Sequence, residues 1–254
     1  MSITTVPRGA HLTRRLIQLY VGLALYGTSS ALLVRAGLGL EPWGVLHQGL
    51  AERTDLSIGV VSIIVGAIVL LLWIPIRQRP GLGTVSNVFV VGIAMDGTLA
   101  LVPDVHGLAA QIAVMAAGVV VNGVATGLYI AARFGPGPRD GLMTGLHRLT
   151  GRSIRLVRTL LEVAVVVTGF LLGGTLGAGT VVYALAIGPL AQFFLRFFAV
   201  GGKPGAEAGA DGGGTAGKGA AGKGAARGEA VASAPDDGDS AVTARTPEQA
   251  ILPE

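Results

Sequence analysis

Cysteine is absent from the 254 residues. That excludes a disulfide framework, a thiolate metal site and a cysteine nucleophile. Charge is scarce as well: Asp, Glu, Lys and Arg make up 13% of the chain, about half of the ~25% usual in a soluble domain. Aromatic residues are 5%, too few for a base-stacking surface, and the basic residues are scattered between apolar blocks. The net charge of +4 therefore does not point to nucleic acid. There is no HExxH, no GxxxxGK[ST] phosphate loop and no GxSxG nucleophile elbow. His11, His47, His106 and His147 are dispersed, with no ligand spacing among them. No catalytic residue, metal site or cofactor is indicated, and the sequence leans against an enzyme.

What the chain does have is apolar length. Hydrophobic residues are 51% and mean hydropathy is +0.64. A bilayer-spanning helix needs about 20 mostly apolar residues, and six stretches qualify: 16–36, 57–76, 82–102, 108–131, 155–173 and 179–199. Arg14 and Arg15 precede the first, as in a signal peptide, but its apolar part is long and five more spans follow. It reads as an uncleaved first helix. The chain is thus expected to be an all-α polytopic membrane protein whose immediate partner is the lipid bilayer. Residues 1–15 form a short N-terminal segment. Residues 201–254 are rich in Gly and Ala and carry all three lysines, Lys203, Lys218 and Lys223. Such a tail cannot bury enough apolar surface to offset its ordering entropy and reads as disordered. An electrostatic tether to anionic lipid is disfavoured there by the interspersed Asp and Glu.

Arginine placement sets the expected orientation. The N-terminal segment carries Arg8, Arg14 and Arg15, the second connection Arg77 and Arg79. The fourth connection runs from Arg133 through Arg139, Arg148 and Arg152 to Arg155 and Arg158. The first connection sets Arg35 and Arg53 against Glu41, Glu52 and Asp55, and the third and fifth contain no Arg or Lys. The positive-inside rule puts both termini, and with them the tail, in the cytoplasm.

Shifting the chain by 96 residues aligns it with itself without a gap. Gly22, Gly27, Gly39 and Pro42 meet Gly118, Gly123, Gly135 and Pro138. Gly49, Thr54 and Ser57 meet Gly145, Thr150 and Ser153, and Gly81, Gly83 and Thr84 meet Gly177, Gly179 and Thr180. Apolar composition does not align turn residues in this way. The expectation is two triplets, 16–102 and 108–199. Three is odd, so the second triplet enters from the opposite side and the repeat is inverted. Such repeats recur in secondary transporters, with substrate at the midplane between the halves. Gly118, Gly123 and Gly127 suit tight helix packing, within one chain or between copies in a homo-oligomer.

Between the first two spans of each triplet lies a glycine- and proline-marked segment, AGLGLEPWGVLHQGLAERTDLS and ARFGPGPRDGLMTGLHRLTGRS. Proline suits the first turn of a helix, so 42–51 and 138–148 read as short helices, either re-entrant or lying along the interface. Their N-termini offer unpaired N–H donors and partial positive charge. Gly39, Pro42, Trp43, Gly135, Pro138, Arg139 and Asp140 are the candidate binding residues. Asp140 reads equally as a first-turn acid that complements the helix dipole, and Arg139 as a topology determinant.

Asp96 is the clearest ionisable group inside a span and joins the candidate site as a coupling carboxylate. The blander reading pairs it with Arg35 or a backbone group. Glu162 has Arg158 four residues earlier, which fits a simple i,i+4 ion pair.

The run Ala36-Gly37-Leu38-Gly39 with Pro42-Trp43, and the run Gly135 to Leu142, resemble the bacterial YczE/YitT-type membrane proteins, in the YczE branch, over residues 12–200. The resemblance implies a multi-pass protein of the bacterial plasma membrane. The favoured function is transport or export of a small-molecule substrate. The rival classes are a non-transporting scaffold or accessory protein and, behind it, a lipid-modifying enzyme.

Overall fold

The computed structural model describes residues 12–198. The first eleven residues and the expected tail at 201–254 lie outside the described residues. Among those described are eight α-helices and no β-strand: α1 (Leu12–Ala36), α2 (Pro42–Thr54), α3 (Ile58–Ile76), α4 (Leu82–Leu101), α5 (Leu108–Ala132), α6 (Pro138–Thr150), α7 (Ile154–Leu171) and α8 (Ala178–Phe198). Every helix of the second half starts 96 residues after its counterpart in the first. Local chemistry explains the shared boundaries. Pro42 and Pro138 open α2 and α6, where the missing N–H has no partner to lose. The hydroxyls of Ser57 and Ser153 cap α3 and α7, accepting from the N–H of Val60 and Leu156 at 3.3 Å. The two short helices run three and two residues beyond their expected ends, to Thr54 and Thr150. They stop at Asp55 (φ 55°) and Gly151 (φ 64°), both left-handed.

Five helices, α1, α3, α4, α5 and α8, are long and apolar enough to cross a membrane. The expected sixth span is α7. Its eighteen residues include Arg155, Arg158 and Glu162, and these charges set it apart from the other long helices. The outward faces carry large exposed apolar side chains, among them Ile74, Ile93, Leu185 and Phe197. Such a surface is stable against lipid and not against water.

The centre is the pair α1 and α5, which run antiparallel. A Cβ at Gly22 would lie 2.8 Å from the backbone nitrogen of Tyr129, and one at Gly118 would lie 3.2–3.3 Å from Leu32 and Leu33. The small residues thus let the two backbones approach. Gly123 and Gly127 face Leu190 and Phe194 of α8, so this glycine face packs within the chain. Asn122, fully buried on α5, ties three helices: its Nδ2 donates to Ser29 Oγ at 2.7 Å, and Tyr183 Oη donates to its Oδ1 at 3.1 Å.

Around this pair the packing repeats. α4 lies on α1 as α8 lies on α5, and α2 lies on α7 as α6 lies on α3. The loops interlock across the halves. The Gly83 N–H donates to Phe134 O at 2.9 Å, and the Gly179 N–H to Leu38 O at 2.8 Å.

One pair breaks the pattern. α3 packs firmly on α4, but α7 and α8 make at most glancing contact. A Cβ at Gly59 would run into the Gly92 backbone and one at Gly66 would lie 3.2 Å from Val88, whereas one at Gly188, the counterpart of Gly92, would meet nothing from other elements within 4 Å among the described residues. In α7, Arg155 and Glu162 occupy the places of Gly59 and Gly66, so the close approach that those glycines allow is not available there.

Candidate functional site

A cavity of about 180 Å³ lies at the seam of the two halves. Matched positions line it: Pro42 with Pro138, Trp43 with Arg139, His47 with Met143, Asn87 with Tyr183 and Val91 with Ile187. It is therefore framed by the first turns of α2 and α6, whose leading N–H groups lack intrahelical acceptors.

Of the sequence-derived candidates, Pro42, Trp43, Pro138, Arg139 and Asp140 line this cavity. The Arg139 guanidinium sits over the Trp43 indole, 5.0 Å from the ring centroid. This is a cation–π geometry between the same position of each half. Asp140 accepts from Tyr129 Oη at 3.1 Å. The expected Arg158–Glu162 pair forms at 3.0 Å, and both residues face the cavity.

Gly39 and Gly135 do not line the cavity. They hold the interlocking loops at φ 125° and 115°, with Thr180 Oγ1 and Thr84 Oγ1 where a Cβ would go. Their role here is close packing of backbone on backbone.

Asp96 is also elsewhere. Its Oδ2 accepts from Ser57 Oγ at 2.5 Å and its Oδ1 from the Gly59 N–H at 2.8 Å, so it caps the start of α3. The expected alternative pairing with Arg35 does not form: Arg35 instead pairs with Asp104 and donates to Leu99 O. Asp96→Asn should therefore lower the melting temperature by an amount worth about 1 kcal/mol, the scale of a lost cap. Reagent access to the cavity should stay unchanged, and altered access would contradict this placement.

Three features of the site escaped sequence reasoning. Glu41 precedes Pro42 and is only 3% exposed, although by sequence it counts only among the charges of the first connection. Its Oε1 accepts from Ser30 Oγ at 2.9 Å, while its Oε2 is buried without a partner among the described residues. His47, one of the dispersed histidines, lines the cavity one turn further along α2. Tyr26, Tyr129 and Tyr183 bring three hydroxyls from α1, α5 and α8. The glutamate was legible as a carboxyl at the mouth of a short helix, but the tyrosines carried no motif.

No group of three or more His, Asp or Glu among the described residues is arranged to hold a metal ion. No solved structure matches the chain. A protein of Haemophilus influenzae described as uncharacterized is 39% identical over 181 residues, covering 71% of this chain and 83% of that protein. The "Uncharacterized membrane protein YczE" of Bacillus subtilis is 30% identical over 178 residues, covering 69% of this chain and 83% of its own length. The B. subtilis protein YyaS is 26% identical over 179 residues, 69% of this chain and 89% of its own. The match to the family described as "Family of unknown function (DUF6198)" runs over residues 13–196, which takes in nearly all of the eight helices, and the chain belongs to this YczE-type family of membrane proteins.

Proposed function

We propose that the chain is a transporter or exporter of a small polar molecule in the bacterial plasma membrane, built as an inverted repeat of two three-span units. α7 completes the second unit as a sixth span. Both termini lie in the cytoplasm, on the side of the arginine-rich connections. The antiparallel α1–α5 pair supports the inversion. So do the paired contacts of α4 with α1 and α8 with α5, and the reciprocal loop bonds at Gly83 and Gly179.

The observation that carries the transport reading is the cavity itself. It lies between the halves, is lined by matched positions of both, and is framed by the first turns of the two short helices. Irregular backbone at membrane depth is stable only beside protein or a water-filled cavity, and such broken-helix sites lie at the repeat interface of secondary transporters. Rocking of one half against the other would expose the cavity alternately.

The native absence of cysteine makes the test clean. Single cysteines at Asn87, Thr126 and Met143, in oriented vesicles, should react with a membrane-impermeant thiol reagent from at least one side. His106→Cys, in the α4–α5 loop, is the labelling control. If the three cavity positions stay unreactive from both sides while the control labels, the transport reading fails and a scaffold role takes its place.

A further inference from the structure

Not every polar group of the cavity finds its partner within the protein, and those left over describe a ligand. Arg158 and Glu162 pair with each other, and Asp140 is engaged by Tyr129. Two groups remain. Glu41 is buried to 3% exposure with Oε2 unpartnered, and Arg139 makes no ion pair among the described residues, resting instead on the Trp43 ring. Trp43 lines the same cavity. It is 6% exposed, and its Nε1–H, too, is buried with no acceptor among the described residues.

A buried polar atom without a partner is costly, and these two belong to residues of one helix start that line one cavity. The acceptor at Glu41 calls for a donor, best a cationic one. The donors at Trp43 Nε1 and Arg139, with the first-turn N–H groups of α2 and α6 beside them, call for an anion. A simple cation would face Arg139 and a simple anion would face Glu41, so neither satisfies both ends.

We propose that the cavity binds a small zwitterion of amino-acid type, its ammonium group on Glu41 Oε2 and its anionic group on Arg139 and the Trp43 indole N–H. At about 180 Å³ the space is below the ~300 Å³ where drug-sized pockets begin, which fits a molecule of metabolite size. The aromatic and hydroxyl surface of Trp43, Tyr26, Tyr129 and Tyr183 accommodates a short side chain of mixed polarity.

This inference rests on the transport reading and is tested apart from it. The full chain in lipid nanodiscs is titrated with each of the twenty standard L-amino acids and glycine betaine in turn, following thermal midpoint and tryptophan fluorescence. Trp43 in the cavity and Trp73 are the only two tryptophans. One or more zwitterions should raise the midpoint. The N-acetyl form of each amino acid that binds, which lacks the α-ammonium, and its α-amide, which lacks the α-carboxylate, should bind about ten- to a hundredfold more weakly, the scale of a lost charge-assisted hydrogen bond.

Glu41→Gln keeps an oxygen for Ser30 and should melt normally without ligand. It should lose the preference for the free amine over the N-acetyl form. Arg139→Gln should lose the preference for the free acid over the amide. If the cavity cysteines label yet no zwitterion of the panel binds, or if the singly charged forms bind equally well, the zwitterion assignment is overturned while the transport reading stands. If the cysteines do not label, the transport reading itself has failed.

Discussion

Valine at Gly141 should disrupt the packing of α6 on α3, and removing Trp73 from the same chain should restore part of it. A Cβ at Gly141 would fall inside the Trp73 indole, in overlap with its Cζ2 and Cη2. The ring has nowhere to go: Trp73 is 1% exposed, and its Nε1 donates to Pro138 O at 3.1 Å. Overpacking of a tight core costs about 1–3 kcal/mol and sometimes more, and a clash with a rigid, pinned ring belongs at the upper end.

The other half shows how the sequence solves the same contact differently. Gly169 stands at the counterpart of Trp73 and Val45 at that of Gly141. A Cβ at Gly169 would meet the α2 backbone at Val45 and Leu46, 2.5–2.6 Å away. There the small residue is on the long helix, and the two backbones touch. Gly141→Val with Trp73→Gly copies that arrangement into the α3–α6 contact. Trp73→Gly alone should cost about 3–5 kcal/mol, as large-to-small core changes do. The double variant should be less destabilised than the sum of the singles by on the order of 2 kcal/mol, read from melting of the detergent-solubilised proteins. Strict additivity would mean that the two contacts are not alternative solutions to one geometry.

Alanine at Gly135 should be nearly as damaging, for a different reason. The residue holds φ 115°, and a Cβ there would lie 2.9 Å from Thr84 Oγ1. Backbone strain of this kind costs about 1–3 kcal/mol, and the contact adds to it. Thr84 cannot turn away freely, because its Oγ1 donates to Pro136 O at 2.7 Å and accepts from the Gly81 N–H at 3.1 Å. A loss of about 2–4 kcal/mol is expected, with the same at Gly39, where φ is 125° and Thr180 Oγ1 would lie 2.7 Å from the Cβ. Gly97→Ala is the control: nothing lies within 4 Å of that position, so stability should hold or rise slightly with the better helix former. Equal melting of Gly135→Ala and Gly97→Ala would remove the interlock from the account of stability.

These positions also show what could be read early and what could not. The glycines and prolines that recur after 96 residues mark helix ends, and helix ends answer to local rules: a proline that cannot donate, a serine that caps, a glycine that tolerates positive φ. Hence the short helices were foreseen to within three residues of their ends. Arg158 and Glu162 were legible too, since four residues on a helix bring side chains together. Asp96 was not, because its partners, Ser57 and Gly59, belong to another helix. The same holds for Glu41. Its charge was visible, but its burial and its unpaired oxygen depend on Ser30, Trp43 and the opposing α6.

The sequence by itself determined the apolar lengths, the sites where helices begin and end, and the membership of these helices in two matched sets, because hydropathy, proline and glycine act within a few residues. Only the tertiary structure decided which matched positions diverge in role. Trp43 faces Arg139 across the seam, Trp73 fills the space that Gly169 leaves closed, and α7 stands away from α8 where α3 grips α4. Those outcomes follow from side-chain volume and charge meeting between helices distant in the chain, and no local rule specifies which neighbour a side chain will find.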